Sequence, residues 1–229
     1  MPIEIHPTTV SDSYESFSTG ERAFIAINPI LFHTLPLSKA TKELISNSRA
    51  QSFGKNPNSH GFKAVDVESG KLVGLAQWVV HEQEEVLSKS VDEEAQGKLG
   101  VEVPERRVES SLAYYRMLGV GRREALCVDR DGEGNVVKLR KRVELATLFV
   151  DPNFQGRGIA RQLLAWGIDE AERLGLEMSL EATKAGRRLY ESVGFEAVKV
   201  ERFDARPFGV DIIDEVAFMV RPVGAKGLQ

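Results

Sequence analysis

The chain has one cysteine, Cys127, among its 229 residues. A single thiol cannot close an internal disulfide and leaves no cysteine-rich metal site. With no identifiable partner, Cys127 reads as a small apolar residue rather than a nucleophile. It also fits a reducing compartment. Long apolar runs are absent: none approaches the ~20 residues that span a bilayer. The opening Met-Pro-Ile-Glu-Ile-His lacks the basic region and apolar stretch of a signal peptide. Cytosol is therefore the expected compartment, with the nucleus left open. Neither sign of charge prevails, since 30 Lys and Arg against 34 Asp and Glu give a net charge of -4. That balance argues against non-specific nucleic-acid binding, and no nucleic-acid or membrane partner is expected. The four histidines, His6, His33, His60 and His81, show no metal-ligand spacing, so no metal is expected. What remains, 42% hydrophobic and 28% charged residues, is an ordinary soluble composition. It suffices for one large domain or one domain with an insertion.

Taken in order, Ile3 and Ile5 alternate with polar neighbours and predict a short strand. Residues 10–28 carry Phe17, Phe24, Ile25 and Ile27 at helical spacing, with a boundary before Asn28-Pro29. A second helix is expected after Pro36, capped by Ser38 and turning Leu44-Ile45 inward. Residues 54–61 read as a loop. The strand-like runs 62–68 and 72–80 around Ser69-Gly70-Lys71 predict a β-hairpin. Residues 81–138 differ in character, rich in Glu, Lys, Gln and Ser. They read as a partly helical, partly mobile insertion with a helix near 105–118 and too little apolar content for its own core. The domain then divides into 1–80 (N-terminal strands and helices), 81–138 (insertion) and 139–229 (ligand-binding core).

The apolar run Val143–Val150 reads as a central strand and stops at Asp151-Pro152. The loop Gln155-Gly-Arg-Gly-Ile-Ala160 follows, then a helix to Leu174 ending at Gly175. A strand at 176–182, a short helix at 184–192, and strands at 195–203 and 212–220 complete the chain. Strand, glycine loop and helix start together present backbone N–H groups and a partial positive charge to a phosphate. Two nucleotide readings fall away: no Gly-Lys-Ser/Thr follows the loop, and the third glycine of a dinucleotide fingerprint is missing.

The segment Gln155-x-x-Gly158-x-Ala160, followed about thirty residues on by Leu189-Tyr-Glu-Ser-Val-Gly-Phe195, resembles the GNAT superfamily of N-acetyltransferases, and within it fungal members of unassigned substrate. The resemblance is firm over about 142–203. It implies one α/β domain with a mixed, mostly antiparallel central sheet flanked by helices. A coenzyme A cleft would lie between the strands at 143–150 and 176–182. Acetyl-CoA would be the co-substrate and an amine, of a small molecule, the acceptor. Direct attack in a ternary complex is the route it implies. The strand end Leu148, Phe149 and Val150 would offer its backbone to the pantetheine arm, through the groups of Leu148 and Val150. Gln155 opens the loop, and the amides of Gly156, Arg157, Gly158, Ile159 and Ala160 would hold the pyrophosphate, with Arg157 or Arg161 adding charge. Tyr190 matches the family tyrosine that protonates the departing thiolate. Glu144, eleven residues before Gln155, matches the glutamate base of one branch, and burial is expected to raise its pKa.

Plainer readings stand beside these. Glu144 at a strand end can simply pair with Lys141 or Arg142. Tyr190 can be a packing residue. His81 can face the cleft or be structural. The basic run 138–142 reads as a solvated flank. Trp78, Phe32, Tyr114 and Tyr115 can line an acceptor pocket or belong to the core. A catalytically silent acyl-CoA-binding module on the same fold is the rival function.

Overall fold

The computed structural model describes residues 2–225; Met1 and 226–229, which the sequence reading placed in the domain, lie outside the described residues. A seven-stranded sheet runs through the molecule in the order β1-β2-β3-β7-β8-β10-β9. Its members, in chain order, are β1 (Ile3–Pro7), β2 (Ser59–Asp66), β3 (Leu72–His81), β7 (Arg142–Val150), β8 (Glu177–Thr183), β9 (Glu196–Asp204) and β10 (Ile213–Arg221). Only β7 and β8 pair in parallel among them; the other neighbours are antiparallel. The expected mixed, mostly antiparallel sheet is thus present.

One face of the sheet is covered by α6 (Ile159–Leu174). Its apolar stripe, Ile159, Leu163, Leu164, Ile168 and Ala171, packs on Trp78, Val143, Leu145, Met178 and Leu180. Contact is close because Gly167 faces the Trp78 ring, where an added Cβ would lie 2.4 Å from the nearest ring atom. Gly175 closes the helix in the left-handed conformation at φ 61°. The opposite face carries α1 (Ser13–Ala23), the single turn α2 (Asn28–Leu31) and α3 (Lys39–Ser52). Farther along it lie α4 (Val91–Leu99) and α5 (Val108–Leu126). The Ser38 hydroxyl accepts from the Thr41 amide at 3.2 Å, the cap the sequence predicts. The short α7 (Arg187–Glu191) leads into β9.

Two boundaries differ from expectation. The first helix stops at Ala23, and Asn28-Pro29 begins α2 instead of ending a long helix. Proline's fixed φ suits a first helical turn as well as it blocks an interior one. The helix expected near 105–118 runs to Leu126, through Gly119 and Gly121. Glycine disfavours a helix interior by about 1 kcal/mol, but an added Cβ at Gly121 would lie 2.1 Å from the Phe218 ring. Close docking on β10 thus requires a residue that local propensity disfavours. The same stretch of chain also forms β4 (Glu85–Val86), β5 (Cys127–Arg130) and β6 (Val136–Leu139), a small sheet in the order β4-β6-β5.

Candidate active site

The site is built around a defect in β7. Against β3, Gln77 pairs with Thr147 and Trp78 with Leu145, so Ala146 is an extra residue without an opposite number. This β-bulge switches the strand's facing pattern. Val143 and Leu145 face α6 before it, and Leu148 and Val150 face α6 after it. On the other side of β7 the parallel pairing with β8 covers only Arg142–Leu145 against Glu177–Leu180. Beyond that point β7 continues to Val150 and β8 to Thr183 without a paired register, and the sheet opens.

The glycine loop stands at the end of the opening. Gly156 and Gly158 both have φ 75°, a region other residues avoid. Gly158 is the N-cap of the 16-residue α6, whose first amides have no helical partner. Gln155 turns back and donates from Nε2 to the Val150 carbonyl at 3.2 Å. Arg157 lies over the Phe154 ring at 4.9 Å and donates to the Asn153 carbonyl at 3.1 Å. Arg161 reaches Ser192 Oγ at 3.2 Å, tying the start of α6 to the turn after α7. Ile159 is buried in the core and Ala160 packs against it, so these two can offer only their backbone. Phe149 points to the opposite face from α6, edge-on to Phe24 with ring centroids 6.0 Å apart.

Two cavities lie on the helical face opposite α6. One, about 250 Å³, sits over the opening and is lined by Glu144, Leu145 and Ala146 of β7, Ser179, Leu180 and Glu181 of β8, and Lys98 and Arg122. The other, about 920 Å³, lies between α1, α3 and the sheet, with Thr147 and Phe149 on its floor. Lys98 lines both. Its pKa is lowered by partial desolvation and by the Arg122 charge, against the pull of Glu181, Glu144 and Glu94.

Glu144 differs from expectation in its electrostatics. Its side chain is 20% exposed, and Oε2 accepts from Nη2 of Arg142 at 2.7 Å. Nε2 of His81 lies 3.2 Å away. Burial alone would raise the Glu144 pKa, as expected from sequence. The hydrogen bond with His81 and the charges of Arg142 and Arg122 outweigh it and hold the carboxyl well below the usual range. Arg142 itself is 1% exposed and also pairs with Glu85 at 2.7 Å. Arg140 pairs with Glu177 at 2.9 Å, so the two arginines of the basic run are engaged, while Lys141 is exposed as a solvated flank would be.

Tyr190 belongs to the core, 7% exposed and edge-on to Phe195 with centroids 5.9 Å apart. Burial pushes its phenol up, so it keeps its proton. Its hydroxyl has no hydrogen-bond partner among the described residues, and it lines neither cavity. Trp78 and Tyr114 are core residues, while Phe32, also buried, and Tyr115 line the larger cavity. Sequence reasoning passed over Ala146, Lys98, Arg122 and Glu181. Only Glu181 carried a signal, as the polar member of an alternating strand.

Residues 100–206 match the profile of the acetyltransferase (GNAT) domain. That stretch, just under half of the chain, is thus similar to a GNAT acetyltransferase domain. Members of this family use acetyl-CoA as co-substrate, and their acceptors are amines. Over 64 residues the chain is 45% identical to the [ribosomal protein bS18]-alanine N-acetyltransferase of Salmonella typhimurium, an alignment spanning 25% of this chain and 43% of that enzyme. Among solved structures, arylalkylamine N-acetyltransferase 2 from Aedes aegypti superposes with TM-score 0.62 at 17% identity, covering 98% of this chain and 100% of that one. The polyamine N-acetyltransferase of Drosophila melanogaster superposes with TM-score 0.55 at 18% identity, covering 96% and 99%. At such identities the likeness is one of fold. The opened strand pair and the positive-φ loop at the start of α6 are features of this chain that suit an acyl-CoA: an unpaired strand edge for an amide-bearing arm and free amides for a pyrophosphate.

Proposed function

We propose that the protein transfers the acetyl group of acetyl-CoA to the amine of a small molecule, by direct attack in a ternary complex. The observation that carries this reading is the opening of β7 from β8 beyond Leu145 and Leu180. It has the glycine loop at its end and the smaller cavity over its face. Acetyl-CoA supplies an activated acyl carbon. The loop amides of Gly156 to Ala160 bind its pyrophosphate, with Arg161 contributing charge, and the β7 edge at Leu148 and Val150 aligns its arm. Within that reading Gln155 must release the Val150 carbonyl if that group is to pair with the arm.

Glu144 acts in this scheme as a permanent carboxylate. It attracts the acceptor ammonium and takes its proton only transiently, through water, because a carboxyl held this low is a weak base. The amine nitrogen then forms its bond to the acyl carbon, and the carbon–sulfur bond breaks. Tyr190 is the proposed donor to the thiolate: burial keeps the phenol protonated, so it can donate a hydrogen bond to the departing sulfur, with the proton following as the thiolate leaves.

The silent acyl-CoA-binding module is favoured by two specific facts, the ion-paired state of Glu144 and the seating of Tyr190 in the core. The test is direct. Acetyl-CoA should raise the melting temperature, and free thiol should be released when amines are added. Stabilisation without thiol release from any amine establishes the silent module. If acetyl-CoA neither raises the melting temperature nor releases thiol, the coenzyme A reading is overturned.

A further inference from the structure

Charge in the 920 Å³ cavity is unevenly balanced. Two carboxylates line it, Asp12 and Glu21. Lys63 Nζ holds Asp12 at 2.6 Å. Lys42 Nζ holds Glu21 at 2.5 Å, and the Leu37 amide donates to Glu21 at 2.7 Å. The cations Arg49, Lys98 and Arg106 also line the cavity, and none of them forms an ion pair among the described residues. The two guanidiniums instead lie on aromatic rings, Arg49 Cζ 4.8 Å from the Phe17 centroid and Arg106 Cζ 4.7 Å from the Phe32 centroid. Phe17 and Phe32 belong to one buried cluster, which brings the guanidiniums onto adjoining walls. Tyr115 lines the same cavity, close enough to interact with the charge of both.

Stacking holds a guanidinium by its face and leaves its N–H edge for an oxyanion. Two such cations without a counterion repel each other. An entering anion would relieve that repulsion. The volume is that of an ordinary small-ligand site, and Lys98 marks where it meets the cavity over the β7–β8 opening.

We propose that Arg49 and Arg106 form a carboxylate subsite, so that the acceptor is a small amine that also bears a carboxylate. The amine end faces the β7–β8 opening and the acid end meets the two guanidiniums. This rests on the acetyl-transfer reading, and the test separates the two. Thiol release is measured with matched pairs, 4-aminobutyrate against butylamine and phenylalanine against 2-phenylethylamine, with O-phosphoethanolamine as a third arm. The acid of each pair should be preferred by about 10-fold or more, mainly in KM, as expected for charge-assisted hydrogen bonds. In Arg49→Met and Arg106→Met that preference should fall towards one, and Arg49→Lys should keep part of it. Equal use of acid and parent amine by the unaltered protein overturns the subsite while leaving acetyl transfer intact. Preference for the phosphate overturns the assignment to carboxylate. If no amine releases thiol, the acetyl-transfer reading has failed. The subsite is then judged by melting temperature alone: stabilisation by 4-aminobutyrate but not butylamine, lost in Arg106→Met, supports it, and equal shifts overturn it.

Discussion

Replacing Glu144 with glutamine tests the electrostatic description of the site through stability, apart from any turnover. The variant keeps shape and removes one charge. Arg142, 1% exposed, then keeps a single carboxylate partner, Glu85 at 2.7 Å. Removing the only partner of a buried charge costs about 3–5 kcal/mol. With Glu85 still in place, a loss of about 1–3 kcal/mol near neutral pH is expected. The sign of the pH dependence follows from the depressed pKa. Glu144 contributes fully above its ordinary value of 4.5, and its contribution is lost as pH falls from there towards the folded value. In acid the unaltered side chain becomes a neutral isostere of glutamine, so the two proteins should converge. Urea unfolding of both at about pH 7 and at steps below about pH 4.5 measures the gap directly. A gap that stays constant with pH, or one that is absent at neutrality, would refute the ion-paired state of Glu144.

Three further outcomes are expected. Gly167→Ala should destabilise by about 1–3 kcal/mol by denaturant unfolding, despite alanine's better helix propensity, because its Cβ would lie 2.4 Å from a buried indole ring; a neutral result contradicts the close approach of α6. Gly158→Ala, forced to φ 75° in open surroundings, should cost about 1–2 kcal/mol of local strain and weaken acetyl-CoA binding in calorimetry; unchanged binding removes the loop from the donor site. Tyr190→Phe should change stability by less than about 1 kcal/mol, since its hydroxyl has no partner among the described residues, yet slow turnover about 100-fold if the phenol is the acid; unchanged turnover makes Tyr190 a packing residue.

The glycine loop and the helix it opens are legible in the sequence because their signals are local. Gly156 and Gly158 stand where the backbone needs positive φ, α6 has an unbroken apolar stripe, and Gly175 terminates it. The cavities on the opposite face are not, because their features arise from contacts between distant segments. Gly119 and Gly121 weaken the helical signal of α5 but serve its docking on Val91 and Phe218. Glu144 and Arg142 are two letters apart, yet their state depends on His81 and Glu85 from β3 and β4. Arg49 and Arg106 come from α3 and the turn before α5, and nothing in their neighbours announces that they share a cavity. The bulge at Ala146 leaves no compositional trace, since the run from Val143 to Val150 is apolar on either reading.

That extra residue sets how the strand can vary. A plain β-strand has one parity: even positions look one way and odd positions the other. In β7 the parity changes at Ala146, so Glu144, Thr147 and Phe149 share the helical face while Val143, Leu145, Leu148 and Val150 share the other. Deleting Ala146 would join Leu145 to Thr147, which already face opposite ways, so Glu144 and Phe149 would keep their face and the bulge alone would be lost. The extra residue therefore bends and opens the strand locally without exchanging its two faces.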